Sequence, residues 1–362
     1  MEIVRIERKS LEDFGISVFE KLGLSAEEAF DSSTILVSAD ARGIQSHGMA
    51  RLWRYANGIK AGVMKTSTAP LVLRETPVSL VLDGQGSMGL SLSKNTMGQV
   101  IAKARNLGMG VASVRNSNHF GIAGYYAEMA ARNDMIGIAM TNTAAMGVPT
   151  NGRDPMFGTN PIAVAIPASK GRIFCLDMAT TCVTRGKIET YAREGASIPK
   201  GWAVNTEGHE TSDAIKLIDD MLYLRGGGLL PLGGEGEQFS GYKGYGLAVL
   251  VDILCAVCSG GPFGKSVMDS EITSARVCHF FGAVRLDLFR DPEEFKNDLG
   301  KMLDELNATK PAQGKERVLY AGQKEHEKEI ECDQKGVPLS RKVYEQLESI
   351  AQELGLSVPS VK

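Results

Sequence analysis

Long apolar runs are missing from this chain of 362 residues: none approaches the roughly 18 residues that a helix needs to cross a bilayer. The first residues, MEIVRIERKSLEDF, are charged throughout and hold no signal-peptide core. A strong charge of one sign is missing too. A formal net charge of −3 offers no basic surface to nucleic acid or to an anionic membrane. Cysteine is sparse, six residues without framework spacing, which reads as reduced thiols in a cytoplasmic protein. Cys255 and Cys258 form a CxxC inside the apolar run GLAVLVDILCAVCSGG, with no second pair or nearby histidine to complete a tetrahedral metal site. Two buried helix residues are expected there. No GxSxG elbow is present. His209 precedes Glu210, but Asp213 stands where HExxH needs its second histidine, and no metal-ligand cluster is found.

What is present suffices for a sizeable core, at 43% hydrophobic and 23% charged residues, and the length suggests two domains or one large unit with an appendage. Residues 8 to 65 read as helical: Ser25 caps a helix beginning AEEAFDSST, and a second near MARLWRYANGIKAGV ends at Gly62. The texture changes at Ala69-Pro70. From there to about 290, strand-like runs (SLVLDG, MGVASVRNSNH, IGIAMTNT) alternate with helical ones (LSKNTMGQVIAKARNLG, YYAEMAARNDM), the pattern of an α/β sheet domain. Residues 292 to 362 turn helical and charged again, so the two chain ends are expected to pack together as one helical domain.

Gly84-Gln85-Gly86-Ser87-Met88-Gly89 is a literal GxGxxG between a strand and a helix, the arrangement that lets a backbone approach a pyrophosphate. The next strand should then end in an acidic residue for the ribose; it carries Arg115 and Asn116, so a Gly-rich strand-to-helix turn is the better explanation. Among five histidines, His47 lies in Ser46-His47-Gly48-Met49-Ala50-Arg51, where a helix would place His47 and Arg51 on one face. Arginine clamps a carboxylate through two hydrogen bonds and histidine exchanges the neighbouring proton, although a surface histidine and a solvated arginine are the commoner case. His119 follows a strand in Asn116-Ser117-Asn118-His119, where sheet ligands bind; it is a candidate acid/base or a loop residue capping the next helix. His279 reads as a satisfied core histidine and His326 as solvated. Gly241-Tyr242-Lys243-Gly244-Tyr245-Gly246 opens a helix and either cradles an anion or is a plain Gly-rich entry. Asp177 ends the strand RIFCLD, as a ribose acceptor or, more commonly, a turn cap.

Taken together, the segments ADARGIQSHGMARL, NSNHFGIAGYYA, FGTNPIAVAIP, LDMATT, RGKI, GWAV, GYKGYGLA, HFFGA and AGQKE, in this order, resemble the malate/L-lactate dehydrogenase family that lacks a Rossmann fold. The resemblance implies a central mixed-sheet cofactor domain at 73–289 and a helical domain formed discontinuously from 1–72 and 290–362. It implies a homodimer that moves a hydride between NAD or NADP and a small 2-hydroxy or 2-keto acid such as malate or lactate. The catalytic residues it implies are His47, His119 and Arg51, with Ser46 and Tyr55 joining Arg51 at the substrate. Cofactor contacts carry over to Thr143, Asp177, Met178, Ala179, Lys243, Gly322 and Gln323. A cyclic imino-acid reductase using the same groups is the rival enzyme, and a non-catalytic nucleotide-binding protein the rival class. The chain departs from the family at Pro149-Thr150-Asn151-Gly152, in the loop Gly208 to Ala214 that loses both prolines, and at Lys324. That lysine stands where some NAD-using members carry an acid, and a cation there suits the extra phosphate of NADP.

Overall fold

A computed structural model describes residues 2–66, 68–268 and 275–362. The chain opens with β1 (Ile3–Ile6), α1 (Arg8–Lys21) and α2 (Ala26–Ala41), followed by two short 3-10 turns at Gln45–His47 and Met49–Arg51 and by α3 (Leu52–Lys60). The Ser25 cap forms as expected: its Oγ accepts from the Glu28 N–H while the Glu28 carboxylate accepts from the Ser25 N–H, a reciprocal box worth about 1 kcal/mol. The central part runs through β2 (Leu71–Glu75), β3 (Ser79–Asp83), α4 (Gly89–Leu107), β4 (Met109–Ser117), α5 (Ala123–Ala131), β5 (Met135–Thr141), β6 (Ile162–Pro167) and β7 (Ile173–Met178). Then come α6 (Arg185–Glu194), β8 (Ala203–Val204), α7 (Ala214–Leu222), β9 (Gly228–Leu229), α8 (Gly241–Asp252) and β10 (Val277–Arg285). The chain closes with α9 (Pro292–Ala308), α10 (Gln323–Lys335), β11 (Val337–Ser340) and α11 (Arg341–Leu354).

Seven strands form one mixed sheet in the order β2-β3-β4-β10-β5-β6-β7, in which only β3 and β4 pair in parallel. The late strand β10 inserts between β4 and β5, so the sheet is not the doubly wound parallel kind. Side chains alternate across it as strand geometry demands. Phe281 and Ala283 of β10, Ala139 of β5 and Ala163 and Ala165 of β6 face the core shared with α4 and α5. Phe280, Met140, Ile162 and Val164 face a second core built with Val251, Cys255 and Ala256. Both faces are therefore covered, which explains why these strands read as continuous apolar runs.

The chain ends meet through β1 and β11, an antiparallel pair with Ile3 opposite Ser340, and α11 packs on α1 and α3. Helix α9 lies elsewhere, against the turns at Ser169–Gly171 and Leu286–Leu288. Two readings need correction. Beyond Asp252, α8 passes into a π-helical turn, Ile253–Val257, whose wider spiral turns Cys258 outward; Cys255 is buried but Cys258 is exposed. The second concerns His47 and Arg51.

Candidate active site

No single helix carries His47 and Arg51. Gly48, with φ −92° and ψ −146°, breaks the segment into two 3-10 turns, and the pair is gathered by the folded-back loop rather than by helical spacing. Within that loop Arg51 Nε donates to the Ser46 carbonyl at 2.6 Å, and the Ser46 hydroxyl lies 2.8 Å from His47 Nδ1. Across from it, the imidazole of His119 stacks on that of His47, with ring centroids 5.4 Å apart and planes 24° from parallel. The buried Tyr55 of α3 holds His119 from behind: its hydroxyl is 2.6 Å from Nδ1 and 3.3 Å from the His119 carbonyl. The structure thus gathers Ser46, His47, Arg51, Tyr55 and His119 into one cluster.

The electrostatics of the cluster follow from burial beside cations. Desolvation, with the Arg51 charge second, pushes the His47 pKa down to about 4. His119 is lowered well below the usual histidine value, again by desolvation first and then by His47, Arg54 and Arg51. Both imidazoles are neutral at neutral pH, in a field that favours an anion. Burial raises the Tyr55 hydroxyl above the usual tyrosine range, so it stays protonated and free to reverse its hydrogen bond. When His119 Nδ1 is bare the hydroxyl donates to it; when Nδ1 carries a proton the hydroxyl accepts, and donates instead to the His119 carbonyl.

The glycines of the GxGxxG serve this site as structure. Gly86 N–H donates to the Asn116 carbonyl, and Asn118 Nδ2 donates to the carbonyls of Gly86 and Ser87. A side chain on Gly89 would strike the carbonyls of Asn118 and His119. Asp83, which ends β3, accepts from Gln85 N–H, Arg115 Nε and Asn116 Nδ2. This turn fixes the loop that presents His119. His279 is fully satisfied, with Nδ1 2.8 Å from the Thr141 hydroxyl, Nε2 2.7 Å from that of Ser117, and its ring stacked on Phe120. Burial lowers its pKa to about 3, as expected of a core histidine.

The proposed cofactor residues fall on two connected tracts. Asp177 Oδ2 accepts the Gly124 N–H at 2.7 Å, tying the end of β7 to the first turn of α5, just past His119. Desolvation by the surrounding protein raises the Asp177 pKa to about 6, although the side chain keeps solvent access. Beside it, Cys175 N–H donates to the Ala321 carbonyl, and Gly322 sits so close to Cys175 that a Cβ would approach its Cβ at 2.9 Å. The other tract continues through Met178 and Ala179. Thr180 N–H donates to the Thr159 carbonyl, Thr159 N–H to the Thr143 hydroxyl, Leu232 N–H to the Thr180 carbonyl, and Gly244 N–H to the Leu232 carbonyl. The first-turn amides of Gly241, Lys243 and Gly244 are spent on carbonyls, and the Lys243 ammonium, 5.9 Å from the Tyr242 ring, is exposed. A dinucleotide fits these tracts on one independent observation. Gln323 Oε1 is buried without a hydrogen-bond partner, an acceptor that a ribose hydroxyl would satisfy. Among the described residues no group of three or more metal-ligating side chains gathers.

The sequence reading missed two groups. Asp40 is buried beneath the 45–51 loop, with no local motif to mark it. Arg42 makes a double contact with Glu128, 2.7 Å at each amine, and a longer one to Glu329, clamping the end of α2 to α5 and α10. Its two partners lie far from it in sequence.

A malate/L-lactate dehydrogenase family model matches residues 6–348. The chain belongs to this family. A malate dehydrogenase of Pyrococcus abyssi is 42% identical over 98% of this chain and 96% of its own. An L-sulfolactate dehydrogenase of Methanocaldococcus jannaschii is 36% identical over 95% of each chain. The crystal structure of malate dehydrogenase from Entamoeba histolytica superposes with a TM-score of 0.95 at 32% identity, covering 99% of this chain and 100% of that one. The protein is accordingly a 2-hydroxyacid dehydrogenase with the family's mixed-sheet fold. Among the described residues no helix is long and apolar enough to cross a membrane.

Proposed function

We propose that this malate/L-lactate dehydrogenase homologue interconverts a small 2-hydroxy acid of the malate or lactate kind and its 2-keto acid, using NAD or NADP. The observation that carries the reading is the stacked pair His47 and His119 beside Arg51, whose Nε is spent on Ser46 and whose terminal amines have no described partner. Those amines would clamp the substrate carboxylate and so hold C2 in place. An imidazole of the pair exchanges the proton of the C2 oxygen, and Ser46 and Tyr55 set the ring orientations. Only one ring is protonated at a time, because two cations at 5.4 Å beside Arg51 repel. The nicotinamide group supplies or accepts the hydride when bound. Asp177 and Gln323 would offer acceptors to its riboses, Gly322 and the Met178-Ala179 backbone would allow close approach, and Thr143 and Lys243 would contact its remaining polar groups.

We also read the protein as a homodimer. On α8 and the following turn, Val249, Leu250, Ile253 and Val257 are exposed, while Ala248, Val251 and Cys255 point into the core, so this segment carries a second apolar stripe that a copy would cover. The test of activity is absorbance at 340 nm with NADH or NADPH and a panel of oxaloacetate, pyruvate, 2-oxoglutarate and sulfopyruvate. Rapid loss of signal with one acid supports the reading and fixes both specificities. No loss with any pairing, malate and lactate oxidation included, rejects it.

A further inference from the structure

The loop that carries Ser46, His47 and Arg51 closes its own turns, His47 N–H donating to the Ile44 carbonyl, Gly48 N–H to that of Gln45 and Arg51 N–H to that of Gly48. It is seated from below by a residue outside the cluster. Asp40, near the end of α2, is 1% exposed and turns its carboxylate up into the loop. Its Oδ2 accepts the Met49 N–H at 2.6 Å, midway between His47 and Arg51. On the other side the carboxylate packs directly on Gly48, so closely that a Cβ there would strike both oxygens and their carbon. The space left by the Asp40 carboxylate therefore excludes any side chain at Gly48. Two further bonds seat the loop's start, Ile44 N–H to the Ala39 carbonyl and Gly43 N–H to the Asp40 carbonyl. Helix α2 is itself immobilised: eleven of its sixteen residues are buried, and Arg42 is clamped to Glu128.

We propose that Asp40 is a positioning residue of this dehydrogenase: its buried carboxyl latches Gly48 and Met49 and thereby sets His47 and Arg51 at the substrate. The proposal rests on the roles given above to His47 and Arg51. Asp40 touches neither substrate nor cofactor. It works through a fixed distance, and a displacement of about 1 Å at a reacting group costs on the order of 100-fold. Burial pushes the Asp40 carboxyl up to about 8, so at neutral pH it is largely protonated and asparagine is a close isostere that keeps an acceptor for Met49.

The test is steady-state kinetics with oxaloacetate and whichever of NADH and NADPH the parent enzyme uses, together with cofactor Kd from fluorescence. Asp40→Ala and Gly48→Ala should each lower kcat/KM for oxaloacetate about 10- to 100-fold, with cofactor Kd within about twofold and Asp40→Asn within about threefold of the parent. Near-parental kinetics in both alanine variants overturn the latch. So does an Asp40→Asn variant as defective as Asp40→Ala, or a loss of cofactor affinity matching the loss for the acid, which a general loosening would give. Should Asp40→Ala fail to fold, Gly48→Ala and Asp40→Asn decide between them. Arg51→Ala, run alongside, separates the two levels: if it too is silent the site reading fails, and if it alone is impaired only the latch fails.

Discussion

At the residue scale, the site is a small set of groups whose ordinary chemistry is bent by crowding. Both histidines are held neutral by desolvation and by the arginines, so the base form survives to unusually low pH. In the direction of hydroxy-acid oxidation, where a neutral imidazole must accept the proton, the acid limb of kcat/KM should lie near pH 4 to 5 rather than at the usual histidine value of about 6.5. The limb in kcat should lie higher, because a bound carboxylate cancels much of the Arg51 charge that disfavours the imidazolium. Coincident limbs near pH 6.5 would show that the arginine field does not act on the reacting group. Tyr55→Phe removes only an oxygen from a fully buried ring. It should lower kcat about tenfold or more while leaving cofactor Kd unchanged, and an unaltered kcat would remove Tyr55 from the proton path. Asp40 links the same loop to stability. Its folded pKa of about 8 lies above the unfolded value of about 4, so its contribution is complete below pH 4 and is lost as pH rises through 8. Asp40→Asn has no such titration. The difference in Tm between variant and parent should grow in favour of asparagine between about pH 5 and pH 8; a constant difference would mean the carboxyl is not protonated in the folded protein.

At the element scale, the strand-to-helix turn before α4 shows what glycine spacing can and cannot mean. Gly84, Gly86 and Gly89 satisfy a nucleotide fingerprint, yet Gly84 and Gly89 are pressed against the backbone of residues 115–119 and Gly86 takes a positive φ of 81° in the turn. The missing acidic residue at the end of β4 was the legible clue, since Arg115 and Asn116 there turn back onto Asp83. Two glycines of the same helix therefore have opposite expected effects. Gly89→Ala drives a methyl into the Asn118 carbonyl and should lower both Tm and kcat by displacing His119. Gly98→Ala, in the helix interior with open space around its Cα, should stabilise by about 0.5–1 kcal/mol through helix propensity and leave kcat alone. Equal outcomes for the two would contradict the packing described here. Most helices and strands were readable because their apolar period is local. Less was readable at Gly48, where a break in the helix depends on the space left by Asp40, and at Cys258, where a π turn shifts the exposed face. The β1–β11 pair escaped notice because two strands of four residues at opposite ends of the chain carry no local signal of their partner.

At the scale of the whole molecule, sequence order told more than any single motif, because nine segments in family order constrain the chain together while each alone has a bland explanation. What local patterns cannot convey is how the surface is used, and the outer stripe of α8 is the clearest case. Helix α8 should show one apolar face to the sheet; it shows two, and Ile253 and Val257 extend the outer one through the π turn at 44% and 57% exposure. Each exposed branched side chain left in water forgoes about 1.5–3 kcal/mol of burial, which a second copy of the same face would recover. A dimer sealed this way is coupled to folding, so the Tm of the protein should rise with its concentration. Ile253→Lys combined with Val257→Lys should yield a monomer by sedimentation with a Tm that no longer depends on concentration. Lys243 stands on the same helix, so the monomer should also bind cofactor more weakly. A parent protein that sediments as a monomer, with a concentration-independent Tm, would refute the dimer.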